Sequence, residues 1–143
     1  MRLPHKWACF AGILCVAIGL SIFARAGASD NAARVARGKY LVEDVGKCAD
    51  CHTPFDEKGQ PIADKHLQGA VLMFKPLVPM PWADRSPNIA GLKGWEDADA
   101  IHFMMTGETA EKQRPRPPMP EYRFNEEDAR AVVAYLRSLG NSK

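Results

Sequence analysis

The sequence predicts an all-α domain of short helices joined by long loops. Two observations lead there. Apolar residues recur at helical spacing over Asn31–Val45, Glu96–Met105 and the stretch from Asn125 to Gly140. Between the first two lies Thr53–Gly94, 42 residues holding six prolines and four glycines. That is too long for bare connection in a compact domain, so it has to wrap something.

The order along the chain begins with a leader. Arg2 and Lys6 precede Trp7–Ala24, 18 residues without a charge, and the small residues Ala24, Ala26 and Ala28 follow. This is the layout of an export signal over residues 1–28 with cleavage after Ala28, leaving a domain of residues 29–143. The competing reading is an uncleaved membrane anchor, since the run just reaches spanning length. Either way the domain crosses a membrane, and in a bacterium it enters the periplasm. The formal charge of +2 is no footprint for nucleic-acid binding.

In the first helix, Gly38, Leu41, Val42 and Val45 form the apolar stripe, and Gly46 sits where a helix stops. A mid-helix glycine costs about 1 kcal/mol relative to alanine. Gly38 therefore predicts a close approach by another helix. Next comes Cys48-Ala49-Asp50-Cys51-His52, the attachment pattern of a c-type haem. Two thiols three positions apart share one side of a helical turn and can add to the two vinyl groups of one porphyrin. His52 then presents its imidazole to the iron. A thioredoxin-like redox pair would follow a strand, and the segment here is helical. A zinc site would need a second ligand pair, whereas His66 and His102 are single and far apart.

Within the long loop, Gly69–Phe74 reads as a short strand or a buried turn. Ala100, Phe103 and Met104 share one face of the third helix, with Gly107 past its end. The last helix is the clearest: Asn125 caps it, Asp128 completes a box-like start, and Ala129, Val132, Val133 and Leu136 make its stripe.

A low-spin haem iron needs a second axial ligand. The candidates are Met73, Met80, Met104, Met105, Met119, His66 and His102. Met104 and Met105 fall in a helix and Met73 in an apolar run, where methionine usually fills core. Met80 and Met119 each stand between two prolines, which stiffen the backbone around the thioether. Met119 is favoured, because the capped last helix anchors its loop.

Together these features resemble class I cytochrome c. Ser86-Pro87-Asn88-Ile89, Gly94-Trp95, Gly107, Pro118-Met119-Pro120, Tyr122, Asp128 and Tyr135-Leu136 narrow the likeness. They are similar to the cytochrome c domains of periplasmic alcohol, aldehyde and gluconate dehydrogenase complexes. The resemblance implies crossed N- and C-terminal helices meeting at Gly38 and Tyr135, and one covalent haem c on Cys48 and Cys51. It further implies His52 and Met119 as iron ligands, and a Pro87 carbonyl that accepts the imidazole N–H.

The function expected is a monohaem carrier of single electrons and not an enzyme. Its donor would be a dehydrogenase or another cytochrome, its acceptor a cytochrome or terminal oxidase. Lys112, Arg114, Arg116 and Arg123 bracket Met119 and are expected to form a cationic docking rim for an acidic partner. The competing function is a haem enzyme or gas sensor with an open sixth site.

Overall fold

The computed structural model describes residues 29–140, so the leader read over residues 1–28 and its cleavage point lie outside the described residues. The chain divides into two units, Met1–Ala33 and Arg34–Lys143. Of the first, residues 29–33 are described and are helical. Among the described residues no helix is long and apolar enough to cross a membrane.

The second unit is built from helices, with no strand among the described residues. Residues 34–40 form α1 and run into a π-helical turn, Leu41–Val45. Then come α2 (Cys48–His52), 3-10 turns at Ala63–Lys65 and Ala90–Leu92, α3 (Asp97–Thr106) and α4 (Glu126–Gly140).

α1 and α4 meet at Gly38, as its sequence position implies. A Cβ there would stand 1.9 Å from the Ala131 carbonyl oxygen and 2.8 Å from Tyr135 Cβ. No side chain fits, so the glycine's helical cost is offset by backbone-to-backbone packing. Leu41 and Val42 join the core with Val132, Val133, Tyr135 and Leu136. Burying each such valine or leucine contributes roughly 1.5–3 kcal/mol. Val45 departs from the expected stripe and is exposed. The π turn is the reason: Gly46 N–H reaches back five residues to Leu41 O at 2.7 Å, so Val45 rotates off the face that Leu41 occupies.

At the start of α4 the cap forms as its residues predict, while the returning half of the box is replaced by a bond to α1. Asn125 Oδ1 accepts the Asp128 N–H at 2.8 Å. The Asp128 carboxylate in turn accepts Arg37 of α1 through Nε (2.8 Å) and Nη2 (3.2 Å). That guanidinium holds the Asp128 carboxyl below its ordinary pKa. Three acids in the first turn of α4 also suit the positive end of its dipole. Near its other end Arg137 binds Asp97 Oδ1 and the carbonyls of Gly91 and Leu92, each at 2.8 Å, and also that of Trp95. It thereby fastens the turn at Ala90–Leu92 and the start of α3 to α4.

The segment Gly69–Phe74 is neither of the two forms its sequence suggested. A single bridge pairs Val71 with Arg85. Ala70 and Leu72 are buried, but Val71 is exposed and Met73 is 85% exposed. Met73 is therefore not core filler; one bridge cannot turn both faces of an extended segment inward. The core residue in this loop is Leu67, 0% exposed, whose carbonyl accepts the N–H groups of Ile89 (2.9 Å) and Ala90 (3.1 Å).

Candidate functional site

The short helix α2 carries the Cys-x-x-Cys-His residues, and three anchors hold it. Ser86 Oγ donates to the Cys51 carbonyl at 2.6 Å and accepts the Ala70 N–H at 2.9 Å. The Gly69 N–H donates to the His52 carbonyl at 2.7 Å. The buried Thr53 hydroxyl accepts the Leu67 N–H at 2.9 Å. Ser86 and Thr53 were not singled out for this role from the sequence. A hydroxyl in a loop gives no sign of which distant carbonyl it will meet.

His52 is buried, and its Nδ1 donates to the Pro87 carbonyl at 2.8 Å. A carbonyl can only accept, so the proton sits on Nδ1 and Nε2 is left with its lone pair. Burial lowers the His52 pKa, while the hydrogen bond to Pro87 opposes that shift. The net effect favours the neutral imidazole, which is the metal-binding form. Burial pushes the thiols of Cys48 and Cys51 up in pKa.

These three side chains open onto a cavity of about 510 Å³. Its walls include Pro87 and Ile89 from the long loop, Phe103 and Met104 of α3, and Val132, Val133 and Leu136 of α4. Met119, Pro118, Pro120 and Tyr122 line it as well. The structure thus brings Cys48, Cys51, His52, Pro87 and Met119 to one cavity. It does not bring the other ligand candidates there, apart from Met104, which packs against the core as well. Met80 is exposed, and His66 Nε2 instead lies 2.8 Å from Glu43 Oε1. His102 is on the surface. Among the described residues no cluster of three or more His, Cys, Asp or Glu offers a separate metal site.

The cationic rim expected around Met119 is half neutralised within the fold, two carboxylates being shared by three of its four basic side chains. Arg114 pairs with Glu108 at 2.9 Å and Glu121 at 3.0 Å, Arg123 pairs with Glu121 at 2.6 Å, and Lys112 reaches Glu108 at 4.0 Å. Each internal pair reduces the field the rim projects toward a partner. The sequence expectation counted the basic residues and overlooked Glu108 and Glu121 folding back onto them.

With this geometry in view, the cytochrome c family model matches residues 35–140. The chain belongs to the cytochrome c family. Among curated relatives it is 33% identical over 114 residues to a fructose dehydrogenase cytochrome subunit of Gluconobacter japonicus, covering 72% of this chain and 21% of that protein. It is 31% identical over 115 residues to a dihaem cytochrome c-type protein of Cereibacter sphaeroides, covering 76% and 36%. A cytochrome c subunit of a quinone-dependent alcohol dehydrogenase from Gluconobacter oxydans is 27% identical over 116 residues, covering 73% and 24%. The chain therefore spans about a fifth to a third of the length of these relatives.

Cytochrome c domains carry haem c covalently, and this cavity fits that group. Its walls are largely apolar, two cysteine thiols stand at the attachment spacing, and a buried neutral imidazole offers Nε2.

Proposed function

We propose that this protein is a periplasmic, monohaem, His/Met-ligated cytochrome c that passes single electrons between redox proteins and catalyses no reaction of its own. The observation that carries the reading is the meeting of His52 and Met119, 67 positions apart in sequence, at one cavity with Cys48 and Cys51. When bound, haem c supplies one-electron redox chemistry at its iron. Cys48 and Cys51 hold it through two thioether bonds. His52 would offer the lone pair of Nε2 to its iron. The Pro87 carbonyl fixes the orientation of that imidazole and raises its basicity. Met119 would offer its thioether sulfur to the same iron, and such a ligand favours the ferrous state relative to a second histidine. With His52 and Met119 both engaged, the iron would have no site left for a substrate.

The donor on this reading is a dehydrogenase or another cytochrome, in keeping with relatives that are named as cytochrome subunits of fructose and alcohol dehydrogenases. The acceptor is a further cytochrome or a terminal oxidase. Residues 1–28 direct export.

A visible spectrum of protein made in a host with haem-attachment machinery tests the reading. Haem should resist acid-solvent extraction, the reduced α-band should be sharp, and the oxidised protein should show the weak long-wavelength sulfur-to-iron band. Met119→Ala should abolish that band. A broad high-spin spectrum in the parent protein, or a band that survives Met119→Ala, would overturn it.

A further inference from the structure

We propose that Tyr122 is a positioning residue that locks the Met119 loop to the turn preceding Cys48 and so keeps the methionine sulfur in place. Tyr122 stands two residues beyond Pro120 and lines the same cavity. Its hydroxyl donates to the Gly46 carbonyl at 2.8 Å, across 76 positions of sequence. The other described hydrogen bonds of residues 118–123 stay within the C-terminal part of the chain. Met119 N–H donates to Arg116 O at 3.2 Å, and Glu121 pairs with both Arg114 and Arg123. Tyr122 alone among these described residues ties the loop to the N-terminal half.

Both ends of this strap are built for it. The ring stacks on Phe124, with centroids 5.2 Å apart and planes 8° from parallel. Phe124 is itself pinned by its N–H to Met104 O at 3.1 Å. At the other end, a Cβ on Gly46 would meet Leu41 O at 3.0 Å, Cys48 Sγ at 3.2 Å and Tyr122 Oη at 3.3 Å. A side chain at Gly46 would crowd the hydroxyl and the first attachment cysteine, each by a few tenths of an ångström. The π turn that ends at Val45 presents that carbonyl.

Without the hydroxyl, the loop from Pro118 to Arg123 keeps only its hydrogen bonds and ion pairs within the C-terminal part of the chain, so Met119 yields more readily to a competing ligand. The effect expected of one hydrogen bond is a change of roughly five-fold in that competition. The inference rests on reading Met119 as an iron ligand, and the experiment separates the two.

Imidazole is titrated into the oxidised holoprotein of the parent, Tyr122→Phe, Tyr135→Phe and Met119→Ala, the last with and without Tyr122→Phe, while the main haem absorption is followed in all and the sulfur-to-iron band wherever it is present. Tyr135→Phe is the control, because it deletes a comparable hydroxyl bond, to Glu43 Oε1 at 2.7 Å, away from the Met119 loop. Tyr122→Phe should bind imidazole about five-fold more tightly than the parent. Tyr135→Phe should match the parent even if its melting temperature falls as far. Adding Tyr122→Phe to Met119→Ala should change nothing further, since the displaced ligand is already gone. Parent-like imidazole binding by Tyr122→Phe, or an equal rise in Tyr135→Phe, would overturn the role of Tyr122. A parent that lacks the band, or keeps it in Met119→Ala, would instead overturn the ligand assignment beneath it.

Discussion

Residues 38–42 and residues 73–80 both carry several apolar side chains, yet the stripe of the first enters the core and the second lies at the surface. Gly38, Leu41 and Val42 are enclosed against α4, with Leu41 and Val42 at 4% and 1% exposure. Met73, Phe74, Leu77, Val78 and Met80 are all exposed, Leu77 fully. The loop between Phe74 and Trp82 still has a shape of its own. Its two rings meet edge to face at 5.9 Å, and Trp82 Nε1 donates to the Phe74 carbonyl at 3.2 Å. At its base the Ala83 N–H reaches Pro117 O at 2.8 Å. The difference lies in periodicity. Apolar residues at helical spacing share a face that another helix can cover, whereas prolines at 76, 79 and 81 hold their neighbours in an extended loop with no common face.

This contrast can be broken at its tight side. Gly38→Ala places a methyl against the Ala131 backbone, which cannot move aside as a side chain can. The expected loss is about 3 kcal/mol, despite alanine's better helix propensity, and denaturant unfolding measures it. If stability is unchanged, the close crossing of α1 and α4 is wrong.

A middle-sized effect belongs to the start of α4. Asn125→Ala removes the acceptor of the Asp128 N–H and should lower stability by about 1 kcal/mol, read from the same unfolding curves. Asn125→Ser keeps a capping oxygen and should recover most of it.

The smallest effect sharpens the other side of the contrast. Leu77→Ser replaces an apolar side chain that is already in water, so stability should shift by less than about 0.5 kcal/mol. A loss approaching that of Gly38→Ala would show that Leu77 is covered in solution.

Much of the site was legible in the chain, and the reason is locality. Cys48, Cys51 and His52 must share one helical turn to do their chemistry, so their spacing is a complete statement of it. The cap at Asn125 and the stripe Ala129, Val132, Val133 and Leu136 are local in the same way, and all four stripe residues are buried. The doubled Pro-Met-Pro was a local signal too, but it occurs twice. Only the fold separates Met119, which lines the cavity, from Met80, which does not.

What remained invisible depends on partners far away in sequence. Ser86 meets the Cys51 carbonyl, Tyr122 the carbonyl of Gly46, and Arg137 the backbone between Gly91 and Trp95. Hydroxyls and guanidinium groups satisfy themselves with whichever carbonyl packing brings near, so their sequence context names no partner. The same holds for charge. Four basic residues around Met119 read as a cationic rim until Glu108 and Glu121 fold onto three of them. By itself the sequence determined the cofactor chemistry, the helices and the need for a close crossing at Gly38, because each is set by spacing along one short segment. The tertiary structure decided which methionine faces the cavity, which apolar run is covered and which charges are cancelled, because each of those depends on what long-range packing places beside it.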